Sequence, residues 1–343
     1  MFDSTRVLEA LFAGESLSQA QSFALFNSIM HGEQSESVVA AVLTALKMKT
    51  ESPAEIAGAA SAMVSNALPF PSPSYPFADI VGTGGDGHNT INISSAAGVV
   101  AAACGTKVAK HGNRSVSSRS GSADLFRQFG VNLEISPDQA RQCLDEANFC
   151  FLFAPVYHAG MRHAAPVRAA LKTRTLFNIL GPLANPAGPS YGVFGVYSPT
   201  LLNVYAQTLM LLGQHRALIV HGSGLDELAL HGPTQIVDLE HGDIRHYTVT
   251  PKDFGLPEYP LSAIEGGDAD DNKKMIEAAL AGEGAEAHRA AIAMNCAALL
   301  KVTGSVSTFT QGTELAMSKM QEGVPLNVLN QVATISQQEN VNG

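Results

Sequence analysis

The sequence predicts an α/β protein, in which a small helical N-terminal domain precedes a larger α/β domain with a mostly parallel central sheet. Three observations predict it. Residues 1–68 show only helical periodicity, with apolar side chains three and four positions apart. The segment PFPSPSYPF at 69–77 then excludes a helix by its four prolines. Beyond it, β-like runs alternate with helical stretches. We place the domains at 1–72 and 73–343, and expect a helical segment near 165–190 to join the first.

The helical domain carries recognisable start signals. Ser16 is a candidate N-cap, with Gln19 three residues later as its capping-box partner. Ser35 is a candidate cap for the next helix, and Pro53 suits the first turn of a third.

The larger domain shows the strand–helix alternation directly. The predicted strands lie at 78–81, 107–110, 149–153, 191–197 and 216–220. The predicted helices lie at 94–104, 136–147, 199–213, 268–298 and 313–335. We expect the strands to pair mainly in parallel.

The composition excludes several classes of protein. Charged residues make up only 15% of the chain, and no low-complexity tract occurs. With 21 Lys and Arg against 31 Asp and Glu, the net charge of −10 argues against a general nucleic-acid binder. The four cysteines form no CxxC pair, so we expect buried free thiols in a reducing compartment. Because neither a membrane span nor a signal peptide is recognisable, we expect a soluble cytoplasmic protein with no membrane partner.

Acidic residues are absent from two long stretches that nevertheless contain cations. The stretch 87–123 holds Lys107, Lys110, Arg114 and Arg119, and the stretch 147–225 holds Arg162, Arg168, Lys172, Arg174 and Arg216. Buried helices and strands would be poor in charges of both signs. A site for a polyanionic small molecule explains the asymmetry better, because it would retain cations and exclude acids.

A glycine-rich segment, DIVGTGGDGHNTINISS at 79–95, follows the first predicted strand and precedes a helix. Gly82, Gly84 and Gly85 can adopt positive φ and turn backbone N–H groups outward, as a phosphate cradle requires. We expect Ser94 or Ser95 to cap the following helix, whose N-terminus adds partial positive charge. An ordinary turn between a strand and a helix is the alternative interpretation.

A second segment, KVAKHGNRSVSSRSGSAD at 107–124, is dense in hydrogen-bond donors for phosphate or hydroxyl oxygens. It contains no carboxylate before Asp124. A flexible Ser/Gly surface loop is the alternative, which the basic residues among the serines make weaker.

Asp226 and Glu227 are adjacent acids that end the second acid-free stretch. Next to a pyrophosphate site they would suit Mg²⁺, which takes one or two carboxylates together with phosphate oxygens and water. The first turn of a helix is the alternative, since acids are common there. Hydrolase function lacks support, because the sequence contains neither GxSxG nor HExxH.

Taken together, these motifs resemble anthranilate phosphoribosyltransferases over essentially the whole chain. The resemblance rests on GTGGD at 82–86, NISS at 92–95, KHGNRSVSS at 110–118, GSAD at 121–124, FAPVYHAGMRHAAPVR at 153–168, RTLFNILGPLANP at 174–186 and LDE at 225–227. It implies the two-domain architecture shared with pyrimidine nucleoside phosphorylases, and a homodimer that docks through the helical domain. The implied reaction transfers the phosphoribosyl group of phosphoribosyl pyrophosphate (PRPP) to anthranilate, an early step of tryptophan biosynthesis.

The resemblance also implies roles for individual residues. Those expected around PRPP are Gly82, Gly85, Asp86, Thr90, Asn92, Ile93, Ser94, Ser95, Lys110, His111, Gly112, Asn113, Arg114, Ser115, Val116, Ser117, Ser118 and Ser122. Those expected to contact anthranilate or line its approach are Gly82, His111, Asn113, Tyr157, Arg168 and Pro182. Those expected to hold Mg²⁺ are Ser94, Asp226 and Glu227.

The chemistry implied by the resemblance needs no activated Ser or Cys, because the amine of anthranilate is already a nucleophile. We expect Lys110, Asn113 and Arg168 to act in catalysis: Lys110 would help to neutralise the departing pyrophosphate, and Arg168 would pair with the anthranilate carboxylate. Positioning would supply the rest of the rate enhancement. A pyrimidine nucleoside phosphorylase-like enzyme and a non-catalytic, nucleic-acid-binding relative are the alternatives. The acidic charge and the intact motifs argue against the second.

Overall fold

The structure, a computed structural model, describes residues 4–114 and 120–338 of the chain. Four helices come first: α1 (Ser4–Phe12), α2 (Gln19–Met30), α3 (Glu36–Lys49) and α4 (Pro53–Ser65). The described elements that follow are β1 (Ala78–Gly82), α5 (Ile93–Ala103), β2 (Val108–Gly112), α6 (Ser122–Gln128), α7 (Pro137–Ala147), β3 (Phe149–Phe153), α8 (Ala154–Tyr157), α9 (Ala165–Leu171), α10 (Phe177–Leu180), β4 (Tyr191–Gly195), α11 (Leu201–Leu211), β5 (Arg216–Gly222), β6 (Thr234–Glu240), β7 (Asp243–Val249), α12 (Ala269–Leu280), α13 (Glu286–Val302), α14 (Phe309–Gln321) and α15 (Val324–Ser336).

The sheet has seven strands in the order β3-β2-β1-β4-β5-β6-β7. Strands β1 to β5 pair in parallel, and β6 and β7 extend the sheet antiparallel. The predicted α/β fold with a mostly parallel sheet is therefore confirmed. Because β1, β2 and β4 are neighbours and parallel, the loops that follow them emerge at the same edge, which is where ligands bind in open α/β sheets.

The helix starts correct one prediction and confirm two. Ser35 caps α3, and Pro53 opens α4 behind the N-cap Ser52. The capping box of α2, however, is Ser18 with Gln21, so the prediction of Ser16 with Gln19 was wrong.

The sequence contains both patterns two residues apart, and tertiary structure selects between them. Leu17 is buried, and its N–H donates to Glu55 Oε1 of α4 at 2.9 Å. This contact keeps Leu17 out of the helix, so that α2 begins after Ser18.

The core lies on both faces of the sheet. Along β5, Leu218 and Val220 face one hydrophobic cluster, and Ala217 and Ile219 face the other. The first cluster contains α5 and α13; the second contains the N-terminal helices together with buried side chains of residues 164–184. The helical periodicity predicted at 268–298 and 313–335 is confirmed, and each region contains two helices: α12 and α13 in the first, α14 and α15 in the second. Among the described helices, none combines the length and apolar content needed to cross a bilayer.

Candidate active site

The glycine-rich loop after β1 adopts the backbone that the cradle requires, but not at every predicted position. Gly84 has φ +67° and Gly85 has φ +76°, whereas Gly82 is not in the positive-φ region, so that part of the prediction was wrong. Gly82 is needed for space, since a Cβ there would collide with the carboxylate of Asp226. A Cβ on Gly195, at the end of β4, would fall on the backbone carbonyl of Asp226. Two neighbouring strands therefore end in glycine where Asp226 lies against them.

The two predicted metal ligands lie directly at this loop. Asp226 Oδ2 accepts a hydrogen bond from the Gly84 N–H at 2.6 Å, and Glu227 Oε1 accepts one from the Ser94 N–H at 3.0 Å. Burial, and then the charge of the neighbouring Asp86, raise the pKa of Asp226 to about 7. Burial, and then the charge of Asp226, raise the pKa of Glu227 well above its usual range. The negative charges of Asp86, Asp226 and Glu227 thus repel one another next to the glycine-rich loop.

The N-terminus of α5 is capped by Glu227, which belongs to the turn after β5. Asn92 occupies the N-cap position, but its side chain forms no capping hydrogen bond. Ser94 and Ser95 lie inside the first turn, so the prediction that one of them is the cap was wrong. Asp226 and Glu227 follow β5 in a turn, not in the first turn of a helix. The carboxylate of Glu227 supplies the acceptor that Asn92 does not.

The start of α5 is also tied to the start of α6. Asn92 Nδ2 donates to the Ser120 carbonyl at 3.1 Å, and Ser95 Oγ donates to Ser122 Oγ at 2.9 Å. Ile93 is buried, and Thr90 forms an isolated β-bridge with Glu265. The residues predicted for PRPP on the two loops are thus brought to one place. Ser115, Val116, Ser117 and Ser118 lie outside the described residues.

The end of β2 supplies the remaining members of the KHGN motif. Asn113 and Arg114 are exposed, and the Arg114 guanidinium lies 5.5 Å from the centre of the Phe153 ring. Gly112 is half-buried, and a Cβ there would meet the Phe151 ring at 2.7 Å. Asn113 and Arg114 are therefore accessible to a ligand bound at the carboxyl ends of the parallel strands.

Lys110, by contrast, is fully buried: 1% of its surface is exposed, and its Nζ donates to the carbonyl of Ile80. Burial lowers the pKa of Lys110, and the nearby Asp79 carboxylate opposes that shift. Burial raises the pKa of Asp79 to about 6 in turn. The ammonium group therefore lies beneath the site and not on its surface, and its part in neutralising a leaving group stays a prediction.

Asn185 joins the two strands that carry these loops to the segment containing Pro182. Its Nδ2 donates to Asp79 Oδ2 at 2.8 Å and to the Ala109 carbonyl at 2.9 Å, and its Oδ1 accepts from the Ala187 N–H at 2.9 Å. Sequence reasoning missed both Asp79 and Asn185. A single acid inside the apolar run ADIV was the available signal.

His111 faces the same segment. Its Nδ1 donates to the Gly181 carbonyl at 3.2 Å, because a carbonyl can only accept, and this fixes Nε2 as the unprotonated nitrogen of the neutral ring. Its ring packs edge-on against His158 with centroids 5.1 Å apart. Burial, followed by the proximity of His158, lowers the pKa of His111 to about 3.

The residues predicted for the anthranilate approach include polar atoms without partners. Among the described residues, His111 Nε2 and Tyr157 Oη are buried side-chain atoms that have no hydrogen-bond partner. Pro182 is buried, and it directly follows Gly181, whose carbonyl accepts the hydrogen bond from His111. Such orphaned atoms are rare in folded proteins and point to a ligand or water.

Arg168, on α9, is half-buried and lies with its guanidinium carbon 5.4 Å from the centre of the Phe177 ring. Burial lowers its pKa. Within the described part of the chain, no carboxylate forms an ion pair with it. A guanidinium held in place by an aromatic ring, with no protein counter-ion, suits the carboxylate of a ligand.

The donor set fits a hard divalent cation that arrives with its substrate. Across residues 4–114 and 120–338, no group of three or more His, Cys, Asp or Glu is arranged as a metal site. Mg²⁺ commonly takes one or two carboxylates and completes its shell with phosphate oxygens and water. The mutual repulsion of Asp226 and Glu227 is what a cation would relieve.

Comparison with known proteins agrees with this site. Residues 5–67 match the helical bundle domain, and residues 74–326 the a/b domain, of the glycosyl transferase family. Anthranilate phosphoribosyltransferase of Tolumonas auensis is 56% identical over 97% of this chain and 99% of its own. The crystal structure of the Thermus thermophilus enzyme superposes with a TM-score of 0.92 at 40% identity, covering 96% of this chain and 99% of that one.

The anthranilate phosphoribosyltransferase of Saccharomyces cerevisiae, solved in complex with PRPP and Mg, gives a TM-score of 0.88 at 27% identity over 97% of both chains. The same enzyme has been solved in complex with 4-fluoroanthranilate. Similarity of this extent covers both domains and every motif of the site. The chain belongs to the anthranilate phosphoribosyltransferase family.

Proposed function

We propose that the chain catalyses the reaction after which its family is named, in the biosynthesis of L-tryptophan. The anthranilate nitrogen forms a bond to C1 of the ribose, the bond from C1 to pyrophosphate breaks, and the amine loses one proton. The products are N-(5-phosphoribosyl)anthranilate and pyrophosphate. The observation that carries the proposal is the contact between the positive-φ glycine loop and the turn that holds Asp226 and Glu227. Arg168 adds a guanidinium that has no protein counter-ion among the described residues.

The chain's own residues account for binding and orientation. The positive-φ turn at Gly84–Gly85 and the positive end of the α5 dipole would favour phosphate oxygens. In this structure Asp226 and Glu227 accept the Gly84 and Ser94 N–H groups, and a cation that drew the two carboxylates away would free these donors for the substrate. Arg168 would hold the carboxylate of anthranilate through two parallel hydrogen bonds and so orient its amine. Mg²⁺, when bound to Ser94, Asp226 and Glu227, would offset negative charge on the pyrophosphate.

The first experiment follows anthranilate fluorescence with PRPP, with and without Mg²⁺. Loss of signal only when all three are present supports the proposal. No loss from the folded protein would contradict it, and turnover of a pyrimidine nucleoside with orthophosphate would support the phosphorylase instead. Salt-sensitive DNA binding would favour the nucleic-acid-binding relative.

Arg168→Ala tests the assignment of the anthranilate side. We expect kcat/KM for anthranilate to fall about 10- to 100-fold, because a charge-assisted hydrogen bond contributes about 1.5–3 kcal/mol. Binding of PRPP, measured by calorimetry, should change less than about twofold. Arg162→Ala, which removes an exposed cation six residues earlier, is the control. Equal losses for both substrates would refute the role.

We also propose a cytoplasmic homodimer. The N-terminal helices expose Phe12 and Met48, which are 67% and 83% accessible, and dimerisation would cover such side chains. All four cysteines are free thiols, which fits a reducing compartment. Three of them are buried as predicted, whereas Cys104 is half-buried, so that part of the prediction was wrong. A monomer mass in light scattering at micromolar concentration would contradict the dimer.

The domain division at 1–72 and 73–343 remains our proposal as well. Burial of residues from 164–184 together with the N-terminal helices supports the inclusion of a segment near 165–190 in the helical domain. Limited proteolysis that cuts first near 69–77 would support the boundary.

A further inference from the structure

Arg174 is an exposed cation that contacts the glycine-rich loop from the segment between α9 and α10. Its Nη2 donates a hydrogen bond to the carbonyl of Gly85. Its guanidinium carbon lies 4.2 Å from the centre of the Tyr197 ring, a stacked cation–π distance. Within residues 4–114 and 120–338, no carboxylate pairs with it.

The loop is held at successive residues by different parts of the chain. The Thr83 N–H donates to the Gly195 carbonyl at 3.0 Å, and the Thr83 hydroxyl accepts from the Tyr197 N–H at 3.1 Å. The Gly84 N–H donates to Asp226 Oδ2 at 2.6 Å. Arg174 adds the contact at Gly85. This hydrogen bond fixes the direction of the Gly85 carbonyl.

Arg174 is in turn held by the helical domain. Lys47 Nζ, on α3, donates to the backbone carbonyl of Arg174 at 2.5 Å and to the Thr173 hydroxyl at 3.1 Å. A continuous path of contacts therefore runs from α3 through Arg174 to Gly85. These contacts connect the helical domain to the glycine-rich loop.

We propose that Arg174 is a positioning residue for PRPP binding: it holds the glycine-rich loop in its binding conformation and, through Lys47, couples that conformation to the helical domain. The inference rests on the proposed function. The planar guanidinium of Arg174 stacks on Tyr197, and one of its N–H groups donates to Gly85. Its positive charge, which no carboxylate of the described residues pairs with, lies next to the loop that would bind the negatively charged PRPP. A lysine could keep the charge and the donor but not the stacking.

The test measures steady-state kinetics of Arg174→Ala, Arg174→Lys and Lys172→Gln. For Arg174→Ala we expect KM for PRPP to rise about tenfold, with KM for anthranilate changed less than about twofold. Arg174→Lys should recover part of the loss. Lys172→Gln removes an exposed cation two residues away, with no contact to the loop among the described residues, and should resemble the wild type. Lys47→Met should raise KM for PRPP by a smaller factor in the same direction.

Four results would overturn the proposal or its second part, the coupling to the helical domain. The first is an unchanged KM for PRPP in Arg174→Ala. The second is an equal rise in Lys172→Gln, which would show that only the net charge matters. Both KM values could rise together with a lower melting temperature, which would indicate general loss of structure. An unchanged Lys47→Met would remove the coupling to the helical domain. An inactive wild type would instead refute the proposed function, because these comparisons start from its activity.

Discussion

Acid should destabilise the protein through His111, and the size of the effect follows from its surroundings. The ring is 4% exposed, donates through Nδ1 to the Gly181 carbonyl and leaves Nε2 without a partner. Protonation would place a charge beside His158 and Lys110 with no acceptor for the new N–H. His111→Asn keeps a donor close to the position of Nδ1 and cannot take up a proton.

The free energy can be worked from the pKa of His111, which burial lowers from 6.5 to about 3. At pH 4.5 the unfolded chain is protonated at this ring and the folded chain is not. The interval between pH 6.5 and 4.5 is two pH units, and each corresponds to about 1.4 kcal/mol. Wild type should therefore lose about 3 kcal/mol of unfolding free energy between pH 7 and 4.5 that His111→Asn does not lose.

The measurement is urea unfolding followed by far-ultraviolet circular dichroism at both pH values. The chain contains no tryptophan, which makes circular dichroism the more direct signal. Protonation of Asp79, whose pKa is raised to about 6, increases the unfolding free energy as the pH falls. This contribution is the same in wild type and in His111→Asn, so it cancels when the two proteins are compared. His31→Asn is the control, since that ring also bonds a backbone carbonyl but is exposed. Parallel losses in wild type and His111→Asn would refute the reasoning.

Two further predictions concern the acidic turn. Asp226→Asn combined with Glu227→Gln should raise the Mg²⁺ concentration for half-maximal rate by about tenfold or more, because amides cannot ionise to give the carboxylates that Mg²⁺ prefers; an unchanged Mg²⁺ titration would contradict the metal assignment. Gly195→Ala places a Cβ on the Asp226 carbonyl, so the turn must move away from Gly84. We expect kcat/KM to fall about 100-fold or more and the melting temperature to drop by several degrees; wild-type kinetics would show that the turn adapts without cost.

The predicted strands were found where apolar residues ran continuously. The parallel strands are largely buried, so their sequences are mostly apolar: β3 reads FCFLF and β5 contains ALIV. In β1 and β2 the apolar run is interrupted only by Asp79, Lys110 and His111. Strands β6 and β7 were missed. The burial of β7 is confined largely to Val249, and the polar sequence DIRHYTV gives no such signal.

The sequence predicted those residues of the candidate site that belong to short local motifs. Gly84, Gly85, Asp226 and Glu227 were singled out from the chain itself. Asp79 and Asn185 were not, because their importance depends on a hydrogen bond between positions 106 residues apart. The same limit explains the cap of α5, where local sequence indicated a serine and the fold uses Glu227.

That cap has a consequence for how the protein is made. Ser94 and Glu227 are separated by 133 positions, so the first turn of α5 lacks its acceptor until the chain is synthesised beyond β5 and β5 has paired with β4. Contacts between residues so far apart in sequence form late in folding, because closing the intervening loop costs entropy before the contact itself contributes any stabilisation. A nascent chain that ends before Asp226 therefore lacks the acceptor for the first turn of α5, and its glycine-rich loop also lacks the contact that Asp226 makes with Gly84.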